Sequence, residues 1–152
     1  MSVAATLSGF ANMIQPKTRI LCVEDNRDSR EMIATLLRET NSEYEVVAVE
    51  TAAEALDIAG RTPFDLYILD IWLPGMDGVE LCRRLRERGI REPIMFFSAM
   101  GVQIKDRDYV LAAGANEFLI KSVDLDRFTG TVQRLLTEGP GEDVTANVGA
   151  HE

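Results

Sequence analysis

The chain has 152 residues, 46% of them hydrophobic and 27% charged, which describes one ordinary globular domain with short extensions and leaves no room for two catalytic domains. Sixteen Lys and Arg against 25 Asp and Glu give a net charge of -9, which repels phosphodiester backbones and anionic membrane surfaces and argues against nucleic acid as a direct partner. The single histidine, His151, is next to last, so a folded body without imidazole has no Ser-His-Asp, Cys-His or His-metal chemistry.

Residues 1–17 form an extension of their own. Val3, Leu7, Phe10 and Ile14 fall on one helical face; the competing reading, which the short length favours, is a disordered terminus. The first cationic side chain is Lys17, so no signal peptide is expected, and no run approaches the roughly 18 apolar residues of a membrane span. The expectation is a cytoplasmic protein without membrane insertion.

The folded body is expected over 18–138. Runs 20–23, 66–69, 94–97 and 118–120 are apolar without polar alternation, as strands buried on both faces are, and 44–49 (YEVVAV) adds a β-branched strand, second in chain order. Helical spacing joins Met32, Ile33, Leu36 and Leu37; then Ala52, Ala55, Leu56 and Ala59; then Val79, Cys82 and Leu85; then Leu125, Phe128, Val132 and Leu135. Thr51 with Glu54 reads as a capping box, Asp77 as the cap of the third helix and Asp124 as the cap of the last, while Gly60, Gly89 and Gly114 fall where C′ glycines belong. The segment 102–113 is the least patterned helix, interrupted by four consecutive charges from Lys105 to Asp108. Cys22 and Cys82, far apart inside apolar segments, read as reduced core residues. Residues 139–152 carry turn formers and little bulk and are expected to be a disordered tail, with no output domain after it. Strand followed by helix, five times over, predicts a doubly wound α/β domain: five parallel strands with helices on both faces.

In such sheets function collects beyond the carboxyl ends of the strands. The first strand ends in Glu24-Asp25, the third in Asp70, the fourth in Ser98 and the fifth in Lys121. Two unit charges about 4 Å apart repel by roughly 4 kcal/mol at an effective dielectric near 20, so three carboxylates with one lysine call for a divalent cation. Oxygen donors without His or Cys select a hard ion, and Mg²⁺ beside a carboxylate, a hydroxyl and an ammonium makes a phosphoryl site. Any one of these acids alone reads as well as a helix cap or a solvated loop charge; four loops agreeing favours a site.

The segments ILCVEDN (20–26), DLYILDIWLPGMDG (65–78), FSA (97–99) and FLIK (118–121) resemble the receiver domains of two-component response regulators, over about residues 18–137. The resemblance implies the flavodoxin-like strand order 2-1-3-4-5 and makes Asp70 the phosphoacceptor. It implies Mg²⁺ held by Asp25, Asp70 and the backbone carbonyl of Trp72, with Glu24 acting through water. It gives Ser98 and Lys121 the phosphoryl oxygens and makes Phe118 an aromatic switch, for which plain core packing is the competing reading. The family usually has proline after this lysine, often through a cis peptide, whereas this chain has Ser122; a non-proline cis bond costs about 2.5 to 4 kcal/mol, so the loop is either trans or strained. Trp72 is the other departure, read either as a shield over the phosphoryl group or as a partner-facing anchor.

What the resemblance implies is a single-domain response regulator that takes a phosphoryl group from a histidine kinase or phosphotransfer protein, catalyses only its own modification, and signals by binding a downstream protein. The competing readings are a haloacid dehalogenase-like phosphatase, which would need a second acid where Trp72 stands, and an inactive receiver acting as a binding scaffold.

Overall fold

The apolar runs become five short parallel strands, β1 (Arg19–Val23), β2 (Glu45–Val49), β3 (Leu66–Leu69), β4 (Ile94–Ser98) and β5 (Glu117–Ile120), in the order β2-β1-β3-β4-β5. The computed structural model describes residues 16–99 and 104–140. Five helices alternate with the strands: α1 (Arg27–Thr40), α2 (Ala52–Arg61), α3 (Gly78–Glu87), α4 (Ile104–Ala112) and α5 (Phe128–Glu138). The expected N-terminal stripe of Val3, Leu7, Phe10 and Ile14, and the tail from 141 onward with His151, lie outside the described residues.

Because side chains alternate across a strand, each central strand feeds two cores. Ile20 and Cys22 of β1, Leu66 and Ile68 of β3, Met95 and Phe97 of β4 and Leu119 of β5 pack with Ile33 and Leu37 of α1 and Phe128, Val132 and Leu135 of α5. The opposite side chains, Leu21 and Val23, Tyr67 and Leu69, Ile94 and Phe96, and Phe118, meet α2, α3 and α4. This double burial is why the strands read as continuous apolar runs rather than alternating ones. Cys22 and Cys82 are both buried and free, on opposite faces of the sheet.

Helix starts follow local chemistry. Asn26 accepts a hydrogen bond from the Ser29 N–H at 2.9 Å, Thr51 from Glu54 at 3.1 Å and Asp77 from Glu80 at 2.9 Å, each satisfying an amide that the first turn leaves open. Three expectations are corrected. Asp124 does not cap α5: a 3₁₀ turn (Leu125–Arg127) intervenes, α5 starts after Arg127 without a side-chain cap, and the Asp124 carboxylate instead accepts the Ile120 N–H at 2.9 Å. Leu125, drawn into that turn, leaves the helical face and is exposed. Gly60 lies inside α2, which runs to Arg61 and closes on Thr62, so it is not a C′ glycine; Gly89 and Gly114 do adopt the positive φ that role uses.

Arg86 of α3 is the main tie across the far edge of the sheet. It donates to the carbonyls of Gly114, Ile90 and Glu92 and to Asn116 Oδ1 at 2.7 to 3.0 Å, and burial pulls its guanidinium below the usual arginine range.

Candidate phosphoryl site at the carboxyl edge of the sheet

Backbone bonds that extend the strand ladders set the site's positions. The Glu24 N–H donates to the Val49 carbonyl at 3.0 Å, Asp70 to Val23 at 3.0 Å and Lys121 to Ser98 at 2.8 Å. Glu24, Asp70 and Lys121 are therefore each the first residue beyond a paired strand, Asp25 is the second, and Ser98 is the last within one. Since β1, β3, β4 and β5 are neighbours, Glu24, Asp25, Asp70, Ser98 and Lys121 converge at one edge.

Glu24, Asp25 and Asp70 offer carboxylate oxygens that all lie within 4.8 Å of one another. Asp70 is only 6% exposed and Glu24 2%, while Asp25 opens to solvent. Asp70 Oδ1 accepts two hydrogen bonds, from the fully buried Ser98 Oγ at 2.6 Å and from the Trp72 N–H at 3.3 Å. Its other oxygen, Oδ2, stands 3.9 Å from the Lys121 ammonium. That ammonium is engaged elsewhere: Lys121 Nζ donates to Glu24 Oε2 at 2.5 Å, and Glu24 Oε1 accepts the Asn26 N–H at 3.1 Å. Burial holds the Glu24 carboxyl above the ordinary glutamate range; the charge of Asp70 adds to this, and the Lys121 hydrogen bond opposes it.

The remaining expected residues also have defined places. Trp72 turns its amide toward Asp70 and leaves its side chain 61% exposed. Phe118 on β5 is buried with its ring in the core on the α2, α3 and α4 side. The described chain contains no cis peptide bond, so the link from Lys121 to Ser122 is trans.

Two neighbours of the site escaped sequence reasoning. Gly78, the first residue of α3, runs so close to the phosphoacceptor candidate that a Cβ there would lie 1.9 Å from the Asp70 carbonyl oxygen, and its N–H donates to the Ile71 carbonyl at 2.9 Å. Arg30, in the first turn of α1, donates to the carbonyls of Glu24 and Asp25. The glycine in GMDG was a visible signal; Arg30 left none.

Chemically the cluster is underneutralised: three carboxylates face one ammonium. Its donors are all oxygen, which fits a hard divalent cation such as Mg²⁺ and offers nothing to a thiophilic metal.

Comparison with known proteins agrees with the fold. The chain matches the response regulator receiver domain family over residues 20–133. It is 32% identical over 127 residues to the response regulator ArlR of Staphylococcus epidermidis, covering 84% of this chain and 56% of that protein. With the transcriptional regulatory protein TcrA of Mycobacterium tuberculosis it shares 34% identity over 122 residues, 80% of this chain and 47% of that one. Among solved structures, the chemotaxis protein CheY4 of Vibrio cholerae superposes with a TM-score of 0.71 at 26% identity, covering 79% of this chain and 99% of that chain. The chain belongs to the response regulator receiver domain family of two-component systems. It spans about half the length of the curated relatives it matches. No helix among the described residues is long and apolar enough to cross a membrane.

Proposed function

We propose that Asp70 accepts a phosphoryl group from the phosphohistidine of a histidine kinase or phosphotransfer protein, and that the modified receiver signals by binding a downstream protein partner in the cytoplasm. The observation that carries this reading is the surrounding of Asp70: a buried hydroxyl and a main-chain amide on Oδ1, and an ammonium 3.9 Å from Oδ2. An Asp70 oxygen attacks phosphorus, the P–N bond of the phosphohistidine breaks, and the imidazole leaves with the bonding electron pair. Asp25, Asp70 and the Trp72 carbonyl would hold Mg²⁺, with Glu24 acting through water. Bound there, the ion would supply positive charge to offset that of the phosphoryl oxygens. Ser98 and Lys121 exchange their contacts to Asp70 and Glu24 for contacts to those oxygens, and Phe118 follows Ser98 as the aromatic element of the switch. Phosphorylation replaces the single charge of the Asp70 carboxylate by a group carrying roughly 1.5 to 2 negative charges on three strong acceptor oxygens, enough to redirect a lysine and a hydroxyl held by hydrogen bonds.

A phosphatase of the haloacid dehalogenase type is disfavoured because the position two residues after Asp70 carries Trp72, which has no general acid or base. The test is intact-mass measurement after incubation with acetyl phosphate and Mg²⁺. The parent should gain one phosphoryl group and Asp70→Asn none. An unmodified parent would favour the scaffold reading, and steady phosphate release from a generic phosphomonoester would favour the phosphatase.

A further inference from the structure

Asp25 is the exposed member of the acidic cluster, and no side chain among the described residues holds its carboxylate. Its aim must therefore come from its backbone. The β1–α1 turn is pinned on one side by the Glu24 N–H on the Val49 carbonyl. On the other side stands Arg30. Its Nη1 donates to the carbonyl of Glu24 at 3.0 Å and to that of Asp25 at 2.8 Å, while its Nη2 pairs with Glu50 Oε1 at 3.1 Å. Holding those two successive carbonyls fixes the peptide planes on both sides of the Asp25 Cα, and with them the direction of its side chain. The guanidinium is mostly buried, its side chain 17% exposed. Arg27, one turn earlier, shows the contrast: it lies in solvent and, among the described residues, pairs only with Glu31.

We propose that Arg30 is a positioning residue that sets the affinity of the acidic pair for Mg²⁺ by clamping the carbonyls of Glu24 and Asp25, with Glu50 orienting the clamp. The assignment rests on the reading of Asp25 as an Mg²⁺ ligand given above. Two physical roles for Arg30 have opposite signs. A nearby cation that merely adds positive charge weakens binding of a second cation, so its removal tightens Mg²⁺. A clamp that preorganises a ligand strengthens binding, so its removal loosens Mg²⁺; loss of such supporting partners typically costs on the order of 10- to 100-fold in metal affinity.

The experiment is a titration of the whole chain with MgCl₂, followed by amide chemical shifts, for the parent, Arg30→Ala and Arg30→Lys, with Asp25→Asn as control. Urea midpoints in Mg²⁺-free buffer establish that each variant is folded. The expected result is an Mg²⁺ dissociation constant raised about tenfold in Arg30→Ala and by less in Arg30→Lys, whose single ammonium keeps the charge but cannot span two carbonyls and Glu50 together. Binding in folded Arg30→Ala equal to or tighter than the parent's overturns the clamp. If Arg30→Ala does not fold, parent-like binding by Arg30→Lys overturns it instead. A parent that does not bind Mg²⁺, or an Asp25→Asn variant that binds it as the parent does, overturns the metal reading and the clamp together, which separates that failure from one confined to Arg30.

Discussion

The Lys121 ammonium sits on Glu24, 2.5 Å from Oε2, and stands 3.9 Å from the nearer oxygen of Asp70. Lysine and glutamate are 97 positions apart and meet only because β1 and β5 end at the same edge of the sheet. In this arrangement the lysine neutralises Glu24, the most buried acid of the cluster, rather than Asp70. Lys121→Ala strands Glu24, and the expected loss of stability at neutral pH is about 1 to 3 kcal/mol. The pH sign follows from burial, which already holds the Glu24 carboxyl above its ordinary range. Without Lys121 the folded state keeps that proton more strongly than the unfolded chain, so the cost is absent below the ordinary glutamate range and grows as pH rises through the folded value. Urea denaturation at mildly acidic and neutral pH checks this, and adding Glu24→Gln to Lys121→Ala should remove the pH dependence.

Gly78 has no room for a side chain. The atoms a Cβ would meet are main-chain ones, the Asp70 carbonyl oxygen at 1.9 Å and its carbon at 2.9 Å, so no flexible side chain can yield. Gly78→Ala should destabilise the protein by about 1 to 3 kcal/mol and slow acetyl phosphate labelling, because the segment that must move carries Asp70. Urea midpoints and a time course of intact mass report the two effects; parent-like values for both would refute the close approach.

Trp72 places most of its ring in solvent. Trp72→Ala should therefore shift stability by less than about 0.5 kcal/mol. If the ring screens the acyl phosphate from water, the variant should lose its phosphoryl group faster than the parent. Equal lifetimes timed by intact mass would leave the indole as a recognition surface.

Burial pushes the Cys22 thiol up to about 12 and the Cys82 thiol up to about 11, so neither should react with a thiol reagent at mildly alkaline pH until the protein is unfolded. For Cys82 the raised value means that the folded state keeps a proton the unfolded chain releases near the ordinary thiol value of 9.0. Its contribution to stability is complete below that pH and is lost as pH rises toward 11. Cys82→Ala should flatten that part of the stability profile while lowering the whole curve through the lost packing.

Much of this was legible before any coordinates. Strands buried on both faces announce themselves as unbroken apolar runs, so the residues that end them, Glu24-Asp25, Asp70, Ser98 and Lys121, could be read together. Asp77 and Thr51 were legible because a cap acts within its own turn. Asp124 misled because a 3₁₀ turn moved the start of α5, and no short-range pattern distinguishes an acid that caps a helix from one that accepts the Ile120 amide. Arg30 and Arg86 were invisible for a different reason. Their partners are mostly backbone carbonyls, which every residue possesses, so the sequence holds no complementary letter to pair with the arginine. The choice of Lys121 between Glu24, at 2.5 Å, and Asp70, at 3.9 Å, is a matter of side-chain placement that residue order cannot encode.

The ladder bonds from Glu24, Asp70 and Lys121 into the neighbouring strands also bear on how the chain acquires its site. No contiguous fragment short of residues 19–121 contains all four contributing strands and Lys121, and parallel pairings between such distant segments close slowly, since loop entropy is lost before contacts reward it. Mg²⁺ binding at Asp25 and Asp70, as proposed above, would be a clock hand for refolding: its signal should rise with the pairing of β1 to β3, after the helices have gained their dichroism. A chain arrested before β5 docks would have much of its secondary structure and none of its lysine-neutralised edge.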